Sequence, residues 1–118
     1  MKAAVLLLLA SSLLIPEVRE GNFTIRFEPK AILQTGTPIP FEIHVNDSLH
    51  KPVQQAKVTL QIETTEHQDL KVFVAPATEP GVYVAKPVFP EAGEWNIYVE
   101  VRRSDQLSSR TIQFNVAN

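Results

Sequence analysis

Residues 93–102 read Gly93-Glu94-Trp95-Asn96-Ile97-Tyr98-Val99-Glu100-Val101-Arg102, and their alternation decides the fold. Trp95, Ile97, Val99 and Val101 fall on one side of an extended chain; Asn96, Tyr98, Glu100 and Arg102 fall on the other. A period of two held over this length describes a strand with one face in a core and the other in water. Tyr98, on the polar side, either contacts a partner or covers a neighbouring cross-strand side chain. Trp95 is the largest residue of the apolar row, and it has to fill the centre of whatever this strand packs against.

Working outward, the same period recurs. Phe23, Ile25 and Phe27 alternate with Thr24, Arg26 and Glu28 until Pro29 stops the strand, and residues 35–40 form a Gly/Pro/Thr loop. Phe41, Ile43 and Val45 alternate with Glu42, His44 and Asn46, and Asn46-Asp47-Ser48 turns the chain. Val58, Leu60 and Ile62 alternate with Thr59, Gln61 and Glu63; Leu70, Val72 and Val74 then alternate with Lys71 and Phe73. Glu79-Pro80-Gly81 is a strong turn, because proline sets φ at one central position and glycine accepts positive φ at the next. Residues 82–86 follow as a short strand with Tyr83 and Ala85 inward. Glu91-Ala92-Gly93 turns again, Ser104-Asp105-Gln106 makes a loop, and Ile112, Phe114 and Val116 close the chain.

About seven short strands separated by turn residues, with no amphipathic helix after residue 20, predict an all-β fold. The expected architecture is an immunoglobulin-like antiparallel β-sandwich, with a small barrel as the competing closure. The chain has 118 residues, enough for one such domain.

Residues 1–16 differ from everything after them. Lys2 supplies a single charge, residues 3–15 carry none, and Pro16-Glu17-Val18-Arg19-Glu20 ends the apolar run. A basic start, a short apolar stretch and a polar exit describe a secretory signal peptide. The run falls short of the ~20 apolar residues of an ordinary membrane-spanning helix. An uncleaved anchor and a buried N-terminal helix are the other readings; Ala10 and Ser12 form a small-x-small pair, but inside the apolar run. The expected division is therefore residues 1–20 as signal peptide or N-terminal membrane anchor, and residues 21–118 as the sandwich. This places the domain outside the cytoplasm, whether secreted, periplasmic or tethered, and membrane contact is expected only through the N-terminal segment.

The residues offer little chemistry. There is no cysteine, which removes disulfides, thiolate nucleophiles and lipid acylation together. No nucleophile elbow, phosphate-cradling glycine loop or HExxH spacing occurs. The 13 acidic residues sit on polar strand faces, in turns and in the N-terminal exit, and the net charge of −2 gives no reason to expect nucleic acid as a partner. The candidate metal ligands are His44 on a strand, His50 in the turn after it, and His67 in the connection Glu66-His67-Gln68-Asp69. Imidazoles suit copper, but an exported copper site would ordinarily add methionine, and the one methionine is Met1. No cofactor is expected, copper being the alternative.

Two stretches carry a family resemblance. Glu79-Pro80-Gly81-Val82-Tyr83-Val84-Ala85-Lys86 with Phe89-Pro90-Glu91-Ala92-Gly93-Glu94-Trp95-Asn96-Ile97-Tyr98-Val99 resembles the PG-x-Y and G-x-W corners of the YtkA-like domains of bacterial exported proteins. Asp47-Ser48-Leu49-His50-Lys51-Pro52-Val53 followed by Ala56-Lys57-Val58 is similar to the same family's segment before its third strand. The resemblance covers about residues 23–116. It implies a sandwich, export and no established enzymatic activity. Some relatives carry a Met- and His-bearing segment between the third and fourth strands; here Thr64-Thr65-Glu66-His67-Gln68-Asp69 holds one histidine and no methionine. The expectation is a non-enzymatic binding module acting on a protein partner at the cell envelope. The alternative is copper binding or delivery through His67 with His44 or His50.

Overall fold

A computed structural model describes residues 19–118, and the apolar segment read as signal peptide or anchor lies almost entirely outside them. The described chain forms nine strands: β1 (Arg19–Glu20), β2 (Thr24–Pro29), β3 (Phe41–Asn46), β4 (Lys57–Thr64), β5 (Lys71–Val74), β6 (Ala77–Glu79), β7 (Val82–Ala85), β8 (Gly93–Arg103) and β9 (Gln106–Val116). They make two sheets, one ordered β1-β9-β8-β4-β5 and the other β2-β3-β7-β6. All pairings between these strands are antiparallel except the parallel contact of β1 with β9. The two sheets pack face to face as the expected β-sandwich.

The core follows from the alternation. Trp95, Ile97, Val99 and Val101 of β8 are fully buried, as are Val58, Leu60 and Ile62 of β4, and Phe41, Ile43 and Val45 of β3 face them from the other sheet. Without a disulfide, aromatic rings fill the centre. Phe89 meets Trp95 edge-on at 5.4 Å and Phe41 meets Phe114 at 5.7 Å, in the tilted arrangements that ring quadrupoles favour. The polar ends of the buried rings are satisfied: Trp95 Nε1 donates to the Glu91 carbonyl at 3.0 Å, and Tyr83 Oη donates to the Val53 carbonyl at 2.8 Å. Tyr83 and Ala85 point inward, as the sequence suggests.

Glu79-Pro80-Gly81 links β6 to β7. Gly81 has φ +78°, and a Cβ there would lie 2.5 Å from Cβ of Pro52, so conformation and space both require glycine.

Three details depart from the sequence reading. Nine strands form rather than about seven, because the two-residue β1 and the wholly exposed β6 carry no apolar alternation to betray them. β9 begins at Gln106, six residues before the apolar row at Ile112: Ser104-Asp105 is the whole turn, and Arg103 pairs directly with Gln106. In that extra half, Ser108 and Arg110 occupy the core-side positions. Ser108 Oγ accepts from the Phe23 amide at 3.3 Å and the Arg110 guanidinium donates to the Ile25 carbonyl at 2.8 Å, closing the seam between β9 and β2 with polar groups.

The third departure concerns β5. The rule that orients the other strands would turn Leu70, Val72 and Val74 inward. Instead Phe73 packs against the core, and those three residues are 54%, 55% and 67% exposed.

Candidate functional site

The three histidines do not converge. His44 lies on the outer face of β3, its Nε2 2.9 Å from Oε1 of Glu42, and the imidazole holds that carboxyl below its ordinary range, with Lys30 adding to the effect. His50 sits in the loop between β3 and β4 with φ +62°, its amide donating to the Asp47 carbonyl. Asp47 organises this loop: its Oδ1 accepts from the amides of Leu49 and Lys51 at 2.8 and 2.9 Å, and these bonds hold its carboxyl low. His67 lies in the turn between β4 and β5, also at positive φ, with Nδ1 3.0 Å from Oε2 of Glu63. His50 and His67 thus flank β4 at its two ends, and an eight-residue strand separates its ends by about 23 Å. Among the described residues no three His, Asp or Glu side chains are grouped to hold a metal ion.

Acidic residues gather at the His67 end. Asp69 shares a hydrogen bond with Glu91, and the charges of Asp69 and Glu66 repel it, so the Glu91 carboxyl titrates above its ordinary range. A shallow cleft of about 210 Å³ lies beside them, lined by Thr64, Thr65, Glu66, Glu91, Gly93 and Glu94. The carboxylates are exposed, and among the described residues no buried polar side-chain atom lacks a hydrogen-bond partner. Nothing in this cluster aims an unsatisfied group at a ligand.

The remaining feature is the outer face of the five-stranded sheet. Register places Val72, Gln61, Tyr98 and Thr111 in one row across β5, β4, β8 and β9, with Val74, Thr59, Glu100 and Ser109 in the next. Tyr98 donates to Oε1 of Glu100 at 3.0 Å, and partial burial among its cross-strand neighbours pushes its hydroxyl pKa up. It therefore covers neighbouring strands, the second of the two roles open to it from sequence. The face is polar in its middle, with Glu63 and Glu100 among its side chains, and becomes aliphatic at the β5 edge, where Leu70, Val72 and Val74 stand. Past the end of β5, beyond Ala75 and Pro76 in the chain, a cleft of about 380 Å³ is lined by Gln54, Gln55, Ala77, Thr78, Pro80 and Tyr83 among others. The apolar row of β5 was visible in the sequence; its outward orientation was not.

Comparison with known proteins adds the following. The model of a family described as YtkA-like matches residues 17–100. No curated protein matches the chain in sequence. Among solved structures the chain is similar to a lipoprotein from Bacteroides thetaiotaomicron determined by solution NMR, with a TM-score of 0.42 at 11% identity, covering 88% of this chain and 85% of that one.

Proposed function

The chain belongs to the YtkA-like family, and from that premise we propose that it is a non-enzymatic binding module working outside the cytoplasm, with a protein as its partner. One observation carries the reading. Three aliphatic side chains, each more than half exposed, stand together at the edge of a sheet face that is otherwise polar. Scattered exposed aliphatics are ordinary on a folded surface, whereas a contiguous group bordered by polar residues marks a contact surface. The apolar run at residues 3–15 supports delivery across a membrane, after which the domain is free, or tethered if that segment is retained.

The test is made on the full chain in cells that produce it. A photo-reactive residue is placed in turn at position 44 on the outer face of the second sheet, and at positions 72, 98 and 113 across the outer face of the first. The expected result is a discrete protein adduct in the envelope or external fraction, strongest from position 72. Retention of the chain in the cytoplasm, or absence of adducts from every position, overturns the reading.

A further inference from the structure

The free edge of β5 has a definite hydrogen-bonding polarity. The Ala75 amide donates to the Val58 carbonyl at 2.9 Å, and the pairs Thr59–Val74, Leu60–Phe73, Gln61–Val72 and Ile62–Lys71 continue that register without a break. In an antiparallel ladder, alternate residues exchange both bonds with the neighbouring strand, and those between them direct N–H and C=O away from it. Ala75, Phe73 and Lys71 are therefore the residues bonded to β4. Val72 and Val74 direct their backbone groups outward, at the two positions whose side chains are also exposed.

The opposite margin of this sheet is treated differently. β1 pairs with the start of β9, the Gly21 amide donates to the Leu107 carbonyl, and Leu33 and Thr35 bond Ala117 just past its end. Open edges invite pairing with another chain, and proteins commonly blunt them with bulges, proline or inward-pointing charge. β5 has one such device. Lys71 lies on the core-facing side of the strand yet is exposed, and among the described residues it makes no ion pair. An incoming strand is accepted there if it brings a carboxylate, and refused if it brings a cation.

We propose that β5 is a strand-addition site. An extended segment of the partner protein pairs with Val72 and Val74, sets an acidic residue near Lys71, and places an apolar side chain in the cleft beside Pro80 and Tyr83. Main-chain bonds at an edge with a pocket for an alternate side chain are the elements of this recognition mode. Only Ala75 and Pro76 separate Val74 from Ala77 at the cleft wall, so edge and cleft lie within about 11 Å of each other. A second copy of this chain fits less well. The exposed parts of Leu70, Val72 and Val74 amount to roughly 300 Å² per copy, against the ~800 Å² per partner of a stable interface. A β5-to-β5 pairing would also leave both clefts empty. The proposal rests on the reading of the domain as a protein-binding module, and the experiment separates the two.

Photo-reactive residues are introduced at positions 74 and 78 of the full chain, with position 113 on the outer face of β9 as control, and the cross-linked peptides are sequenced by mass spectrometry. Both test positions are expected to reach one short, contiguous stretch of one partner protein, and position 113 to reach nothing. Val72→Pro removes the outward N–H but no bond to β4. It should melt within a few degrees of the parent while lowering the adduct yield at least tenfold. Val72→Thr should preserve the yield, and Lys71→Glu should reduce it severalfold. Full yield in a folded Val72→Pro overturns strand addition; if the proline ring unfolds that variant through its clash with Lys71, full yield in Lys71→Glu overturns it instead. Adducts to a second copy, to the chain's own N-terminal residues, or to scattered segments of a partner also overturn it. Adducts confined to positions other than 74 and 78 remove the strand-addition site but leave the binding module standing. Absence of adducts everywhere removes both.

Discussion

β8 and β5 flank the same strand, β4, and teach opposite lessons about alternation. In β8 the two faces differ sharply: Trp95, Ile97, Val99 and Val101 are fully buried, opposite Asn96, Tyr98, Glu100 and Arg102. In β5 the faces do not divide that way: Lys71 and Phe73 share the core side, and the wholly aliphatic row of Leu70, Val72 and Val74 faces water. Alternation establishes the period of a strand. Which face turns inward is decided by what the strand is joined to. The chain leaves β5 through Ala75 and crosses to the other sheet at Pro76, where the Pro76 carbonyl accepts from the Val84 amide. That crossing buries Ala75, which is 3% exposed and bonded to Val58. Phe73, two residues earlier, must share its side, and Val72 and Val74 are left outside.

The largest effect that tests this contrast is at the centre of β8. Trp95→Ala removes a fully buried indole, its contact with Phe89 and its bond to Glu91, and should cost about 3–5 kcal/mol. In a domain of this size that lowers Tm by more than about 10 °C, which thermal unfolding followed by circular dichroism will show. A shift of a degree or two would mean that β8 does not hold the core.

A smaller effect separates the two faces of β5. Phe73 is half-buried against the core at a sheet edge, so Phe73→Ala should cost about 1–2 kcal/mol, whereas Val72→Ala should stay within about 0.5 kcal/mol of the parent. Urea unfolding of the pair reads the difference directly. If Val72→Ala is the more damaging, β5 is inverted and the strand-addition site goes with it.

The contrast also explains what could be read before the structure. Strands whose apolar row is long and whose opposite row is charged or amide-bearing, such as β3, β4 and β8, were legible together with their orientation. The first half of β9 was not, because its core-side positions hold Ser108 and Arg110, which serve the seam with β2 by bonding its backbone. β6 carries Ala77, Thr78 and Glu79, all exposed, and exists through its pairing with β7. The histidines attracted attention because imidazole is the usual metal ligand, yet their separation depends on the length of β4 between His50 and His67. The β5 edge was missed for the opposite reason: valines in an alternating stretch are read as core by default, and only the crossing at Pro76 reverses them.

The smallest effect lies where β5 and β8 begin. Asp69 precedes one and Glu91 the other, and the two carboxyls share a hydrogen bond that, with the repulsion from Asp69 and Glu66, raises the Glu91 pKa above its ordinary 4.5. A carboxyl whose pKa is raised on folding contributes stability below its unfolded value, and that contribution is lost as pH rises through the folded value. Asp47 and Glu42, both lowered by hydrogen bonds, act in the other direction and lose their contribution as pH falls. Asp69→Asn leaves an amide that still reaches Glu91 but carries no charge, so the Glu91 titration observed by NMR should move down toward 4.5. Between 4.5 and the parent's raised value, the variant's stability should fall less steeply with rising pH than the parent's. At neutral pH the variant should be no less stable than the parent, because the repulsion it removes is then fully developed. A Glu91 midpoint that stays in place would show that the two strand entries are electrostatically independent, leaving β4 as the connection between the buried strand and the open one.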